Sequence, residues 1–168
     1  MKYGMARLPD RFDLWVRKAR ESADTARQLD YVLGALAGLP EWHFFNVGTK
    51  ENPQPAEADI EDAKFLLVFS DTDRIEELFS DARGIHRGDT LPVITIPTDK
   101  AMPWCLERRA QGCDGLLVNP GDDACLIAME QVALFYDAWS RRSGRLASGF
   151  WIPNMTSEEE DFWQENGL

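Results

Sequence analysis

KFLLVFS, Lys64–Ser70, is an apolar run of strand length that halts at a serine and gives way at once to Asp71. Behind it come TDRIEELFSDA (Thr72–Ala82), PVITIPT (Pro92–Thr98), AMPWCLERRAQG (Ala101–Gly112) and GLLVN (Gly115–Asn119). Short β-rich runs alternate here with stretches of helical period, which predicts strand, helix, strand, helix, strand. The strands are apolar throughout, the pattern of a sheet covered on both faces. The expected fold is α/β, a single domain with a mixed, mostly parallel sheet of about five strands flanked by helices.

Working outward, EWHFFNVG (Glu41–Gly48) reads as an aromatic-rich first strand, and TKENPQPAEADIED (Thr49–Asp62), polar with two prolines, as a surface loop. On the other side, Asn119-Pro120-Gly121-Asp122 has type II turn chemistry: Pro presets the first central residue and Gly supplies positive φ at the second. ACLIAM (Ala124–Met129) then reads as a returning strand, so the pair makes an antiparallel hairpin at one side of the sheet. A helix follows from about Glu130 to Arg142, with Val132, Ala133, Tyr136 and Trp139 on one face. The α/β core thus spans 41–142.

Residues 10–38 form an N-terminal helical segment, a helix or helix pair striped by Phe12, Trp15, Val16, Ala19, Ala23, Ala26, Leu33 and Leu36 and ended by Gly38-Leu39-Pro40. Residues 150–168 are an acidic aromatic tail carrying Glu158, Glu159, Glu160, Asp161 and Glu165 without a Lys or Arg. Ser157 and Glu160 have capping-box spacing, which predicts a short terminal helix bearing Phe162 and Trp163. Phe150, Trp151, Ile152, Phe162 and Trp163 would make a sticky patch if left in water. Trp151, Phe162 and Trp163 are therefore expected to dock, on the chain's own domain or in a neighbouring subunit or partner.

A net charge of −11 over 168 residues repels phosphate backbones and anionic lipid, so neither nucleic acid nor a membrane is an expected partner. FLLVF (Phe65–Phe69), the longest apolar run, is far too short to span a bilayer, and the N-terminal residues lack an apolar h-region. Cys105, Cys113 and Cys125 show no C-x-x-C pair and read as reduced thiols of a cytoplasmic protein.

The sharpest catalytic alternative is Asp71-Thr72-Asp73, since paired carboxylates at the C-terminal end of a strand sit where open α/β sheets bind ligands and Mg²⁺. This resembles the opening motif of haloacid dehalogenase-like phosphatases. The resemblance implies Asp71 as nucleophile, Asp73 as acid/base, Lys100 as phosphate clamp and Asp122 or Asp123 as metal ligand. The family's small Gly-Thr continuation is replaced by Arg74-Ile75, and only about fifty residues separate the first and last motif. The plainer reading makes Asp71 the cap of the helix TDRIEELF and Asp73 a favourable charge in its first turn. The NPGDD turn lacks the glycines and Lys of a phosphate loop. His43 and His86 lack partners at zinc-ligand spacing, and no G-x-S-x-G elbow occurs. No catalytic residue, metal site or cofactor is expected on the plainer reading.

KFLLVFSDTDRIEELF, the helix with Trp104 and Cys105, and GCDGLLVNPG together resemble the N-terminal domain of SseB-like bacterial proteins, over about Ala63–Met129. That family is associated with enhanced serine sensitivity and has no established enzymatic activity. The resemblance implies a non-catalytic cytoplasmic module acting through protein–protein interaction or regulation. It also makes Asn119, Pro120 and Gly121 a structural turn of the fold and not a catalytic loop.

Overall fold

The computed structural model describes residues 11–22, 24–79, 91–121, 124–142 and 151–167. Among these, the elements in chain order are α1 Arg11–Glu21, α2 Thr25–Ala37, β1 Glu41–Phe45, β2 Glu57–Ile60, β3 Ala63–Val68, α3 Thr72–Phe79, β4 Val93–Pro97, α4 Thr98–Glu107, β5 Gly115–Val118, β6 Cys125–Ala128, α5 Met129–Ser140 and α6 Ser157–Gly167. The chain divides into two compact units, Met1–Gly38 with Ser143–Leu168, and Leu39–Arg142.

In the first unit the N-terminal stripe is a helix pair. Asp24 restarts the helix: its carboxylate accepts the Ala26 N–H at 3.0 Å, satisfying one of the donors left open at a helix start. Phe12, Trp15, Ala19, Leu33 and Leu36 are buried as the spacing predicts, whereas Ala26 is exposed in the first turn of α2. Gly38 closes α2 because the Trp15 ring lies against it. A Cβ there would sit 2.7 Å from Trp15 Cζ3, so any other residue displaces the indole.

The cap of α6 falls one residue earlier than expected. Thr156 Oγ1 accepts the Glu159 N–H at 3.2 Å while Thr156 N–H donates to Glu159 Oε1 at 3.0 Å, a reciprocal capping box on Thr156 and Glu159 instead of Ser157 and Glu160. Both pairs satisfy the spacing, and Glu159 is the one that also meets a cation within this unit.

In the second unit the sheet differs from the expectation of about five mostly parallel strands. β2, β3, β5 and β6 form a four-stranded mixed sheet in that order, and β1 and β4 form a separate antiparallel pair. Only β3 and β5 run parallel; β2–β3 and β5–β6 are antiparallel. The PVITIPT strand, counted among the five, does not join the larger sheet. Instead β1, aromatic and almost wholly buried, supplies an antiparallel partner for β4 from Glu41↔Pro97 to Phe45↔Val93. Reciprocal backbone hydrogen bonds between His43 and Phe69, at 3.1 and 2.9 Å, then tie β1 to the end of β3.

β2 is the second correction, since it lies inside the stretch read as a surface loop. Glu57, Ala58, Asp59 and Ile60 alternate exposed and half-buried, the signature of an edge strand with one wet face. Its hairpin to β3 turns on Glu61 and Asp62, at φ +48° and +66°. A two-residue loop of type I′ needs positive φ at both central positions, and these two residues adopt it without the usual Asn-Gly or Asp-Gly signal.

Side chains alternate across the sheet. On one face Phe45, Ala56, Leu67, Phe69 and Ile75 form a core with Phe79 of α3, whose ring stacks on Phe45 at 4.0 Å between centroids. On the other face Leu66, Val68, Leu116, Val118 and Ile127 are fully buried, as are Met102, Cys105, Val132 and Phe135 on α4 and α5. Each such side chain contributes roughly 1.5–3 kcal/mol by burial, so these two layers fix the ends of β3 and β5.

Candidate functional site

The C-terminal ends of the parallel strands β3 and β5 are where this class of sheet presents ligand-binding groups. Here they carry Ser70 and Asp71 after β3, and Asn119 after β5. Asn119 is only 5% exposed and stands at φ +47°. Its backbone N–H extends the parallel ladder to Val68 O at 2.8 Å. Its side chain reaches across the strand ends: Oδ1 accepts the Ser70 N–H at 2.9 Å, and Nδ2 donates to Ser70 Oγ at 3.1 Å. Asparagine is one of the few residues that accept a left-handed backbone while offering both a donor and an acceptor.

Ser70 Oγ in turn donates to Asp71 Oδ2 at 3.2 Å. Asp71 caps α3, with Oδ1 accepting the Arg74 N–H at 3.0 Å and Oδ2 paired with Arg74 Nε at 3.3 Å. The result is a continuous chain from Asn119 through Ser70 and Asp71 to Arg74. Sequence reading singled out Asn119 and Asp71 but missed that Ser70 joins them and that Arg74 holds the carboxylate. The Arg-for-Gly substitution in the dehalogenase-like pattern was the available signal.

Asp73 and Lys100 are exposed, Asp73 in the first turn of α3 and Lys100 in the first turn of α4. Asp122, Asp123 and His86 lie outside the described residues. Among the described residues, no group of three or more His, Cys, Asp or Glu side chains is placed to hold a metal ion. His43 is buried on β1, with Nδ1 3.0 Å from Thr95 Oγ1 and Nε2 3.8 Å from Glu41. Burial lowers its pKa against the pull of the Glu41 and Asp71 carboxylates. Cys105 and Cys113 are buried, and desolvation pushes both thiols up, away from the reactive thiolate.

The connection from β5 to β6 has Gly121 at φ +132°, as its sequence demands, but the left-handed Asn119 precedes it and the loop runs from Asn119 to Ala124. A type II turn has its second central residue near φ +80°, and the fourth residue of this one, Asp122, lies outside the described residues. Pro120 is half-buried between the two.

In the helical unit the tail residues singled out for docking are Trp151 and Phe162, both half-buried, and Trp163 on α6, whose side chain lies outside the described residues. Phe150 is likewise outside them. The Lys18 ammonium stands 5.0 Å from the centre of the Phe162 ring, and Ile152 is fully buried. The strongest polar contacts come from residues that the aromatic pattern did not flag. Arg27 grips Glu159 with Nε and Nη2, and also donates to Pro153 O at 2.5 Å and Asn154 O at 3.1 Å. The Tyr31 hydroxyl donates to the same carboxylate. Burial alone would raise the Glu159 pKa, but the bonds from Arg27, Tyr31 and the Thr156 N–H outweigh it and bring it down to about 2.

Among the described residues no helix is long and apolar enough to cross a membrane. Comparison with known protein families, curated proteins and solved structures finds no match to this chain.

Proposed function

We propose that this chain is a non-catalytic module of the SseB-like kind that works by binding another protein. The observation that supports this reading is the state of Asp71. Both its oxygens serve the start of α3 and the Arg74 pair, so the carboxylate best placed for chemistry is engaged in structure. A Mg²⁺-dependent phosphohydrolase using Asp71 would need that oxygen released from Arg74 to attack phosphorus. It would also need Asp73 and Lys100, both exposed, to close over the substrate.

The discriminating experiment is a phosphatase screen with Mg²⁺ against small phosphomonoesters, with Asp71→Asn run beside the parent. The proposal expects no Mg²⁺-dependent turnover from either protein. Turnover by the parent that disappears in Asp71→Asn overturns it.

A further inference from the structure

The two edges of the four-stranded sheet are finished differently. β2 carries two exposed carboxylates, Glu57 and Asp59, the kind of charge that natural sheets place on an edge strand to prevent pairing. β6 at the opposite edge is Cys-Leu-Ile-Ala, with no charged residue and no proline. Leu126 on it is 46% exposed and Ala128 is exposed.

The register fixes which backbone groups this edge offers. The Met129 N–H donates to Asp114 O at 2.8 Å, and bonded pairs alternate along an antiparallel ladder, so Cys125 and Ile127 turn their N–H and C=O toward β5. The N–H and C=O of Leu126 and the N–H of Ala128 therefore point away from the sheet. The Ala128 C=O belongs to the start of α5, for which Ala128 is the N-cap. The Cys125 thiol of the same strand donates to Leu126 O at 4.0 Å.

We infer that β6 pairs antiparallel with β6 of a second copy of this chain, centred on Leu126. In that register the two Leu126 residues exchange N–H···O bonds, and each Ala128 N–H donates to the partner's Ala124 C=O. Every side-chain pairing is then apolar: Leu126 with Leu126, Cys125 with Ile127, and Ala124 with Ala128. The self-complementarity is what selects a second copy over an unrelated strand, because a two-fold axis at Leu126 satisfies the Leu126 groups with their own equivalents and the Ala128 N–H with the Ala124 C=O of the second copy. Ala124–Ala128 itself carries no charged side chain, although Asp122 and Asp123 precede it in sequence and Glu130, paired with Arg109 at 3.4 Å, follows it, so carboxylates flank the contact and keep it weak. A contact this short belongs to the weak, reversible class of interface. It does not depend on whether the chain is catalytic.

The test is sedimentation equilibrium of the full chain from micromolar to near-millimolar concentration, with two variants. Leu126→Lys places a charge on the two-fold axis. Ala128→Pro removes only the outward N–H, and Ala128 already stands at φ −63°, ψ 144°, where proline fits. The parent is expected to show a concentration-dependent monomer–dimer equilibrium. Ala128→Pro should weaken it by about tenfold or more, the equivalent of two hydrogen bonds, and Leu126→Lys should abolish it. Amide exchange gives a readout free of substitution: in the parent, Leu126 and Ala128 should exchange more slowly as concentration rises. A parent that is monomeric throughout overturns the inference. So does a dimer that survives both substitutions, or one in which these two amides exchange at the monomer's rate.

Discussion

Two carboxylate–arginine pairs anchor two different regions of this molecule, and they are built on opposite scales. Asp71 and Arg74 lie three residues apart at the start of α3, joined through Ser70 to the buried Asn119 at the sheet ends. Glu159 and Arg27 lie 132 residues apart and bring the start of α6 to α2 within the helical unit. The first pair closes one helix, with the neutral Asn119–Ser70 bonds behind it. The second is the charged centre of a tertiary contact, with side chains only 20% and 12% exposed, and the Tyr31 hydroxyl and the Pro153 and Asn154 carbonyls share it. The difference teaches that an ion pair matters more to the fold where it joins elements distant in sequence than where it closes one helix turn backed by a buried neutral network.

That contrast can be broken most severely at Asn119. Asn119→Ala leaves the Ser70 N–H buried without its acceptor and places alanine at positive φ, so urea unfolding should show a loss of about 3 kcal/mol. A loss below about 1 kcal/mol would mean that the strand-end bonds are not what holds this region.

Arg27→Ala comes next. It leaves Glu159 and Tyr31 facing each other without the cation, and should cost about 2 kcal/mol, reduced from the value for a fully buried pair by partial solvent access. The same pair adds an acid-sensitive contribution to the stability of the helical unit. The Glu159 pKa is depressed in the fold, so its stabilisation is fully present above its ordinary value of 4.5 and is lost as pH falls toward about 2. The stability gap between the parent and Glu159→Gln should therefore close across that window, and a gap that stays constant would show that Glu159 is not ionised in its contact with Arg27.

Gly121→Val should have a smaller effect, about 1–2 kcal/mol. A Cβ there meets no atom within 4 Å, so the cost is the φ of +132° alone. An unchanged melting temperature would show that the loop re-forms without positive φ at this position.

Much of the second unit was legible because its signals are local. Apolar runs marked β1, β3, β4, β5 and β6, and Asn-Pro-Gly marked the hairpin between the last two. Two things were not legible. The partner of β4 depends on competition among strands far apart in sequence, and β1 won it by offering an aromatic, buried ladder. The β2–β3 hairpin turns on Glu61 and Asp62, which lack the Asn-Gly or Asp-Gly signal of such turns and reach positive φ under the constraint of the strands they join. At the candidate site, Asp71 as a helix cap followed from its place before TDRIEELF, but its link to Asn119 through Ser70 required the parallel pairing of β3 with β5. The Arg27–Glu159 contact left no local trace, since each residue looks like an ordinary surface charge within its own helix.

The central claim is that Asp71 is a structural cap and not a reactive carboxylate, and paired melts of Asp71→Asn and Asp71→Ala test it most directly. Asparagine caps a helix about as well as aspartate, whereas alanine cannot cap at all. The account predicts that Asp71→Asn melts close to the parent and that Asp71→Ala is less stable by about 1 kcal/mol. A reactive carboxylate held at a cost to the fold behaves in the opposite way: its removal leaves stability unchanged or raises it. Asp71→Ala melting at or above the parent would contradict the account.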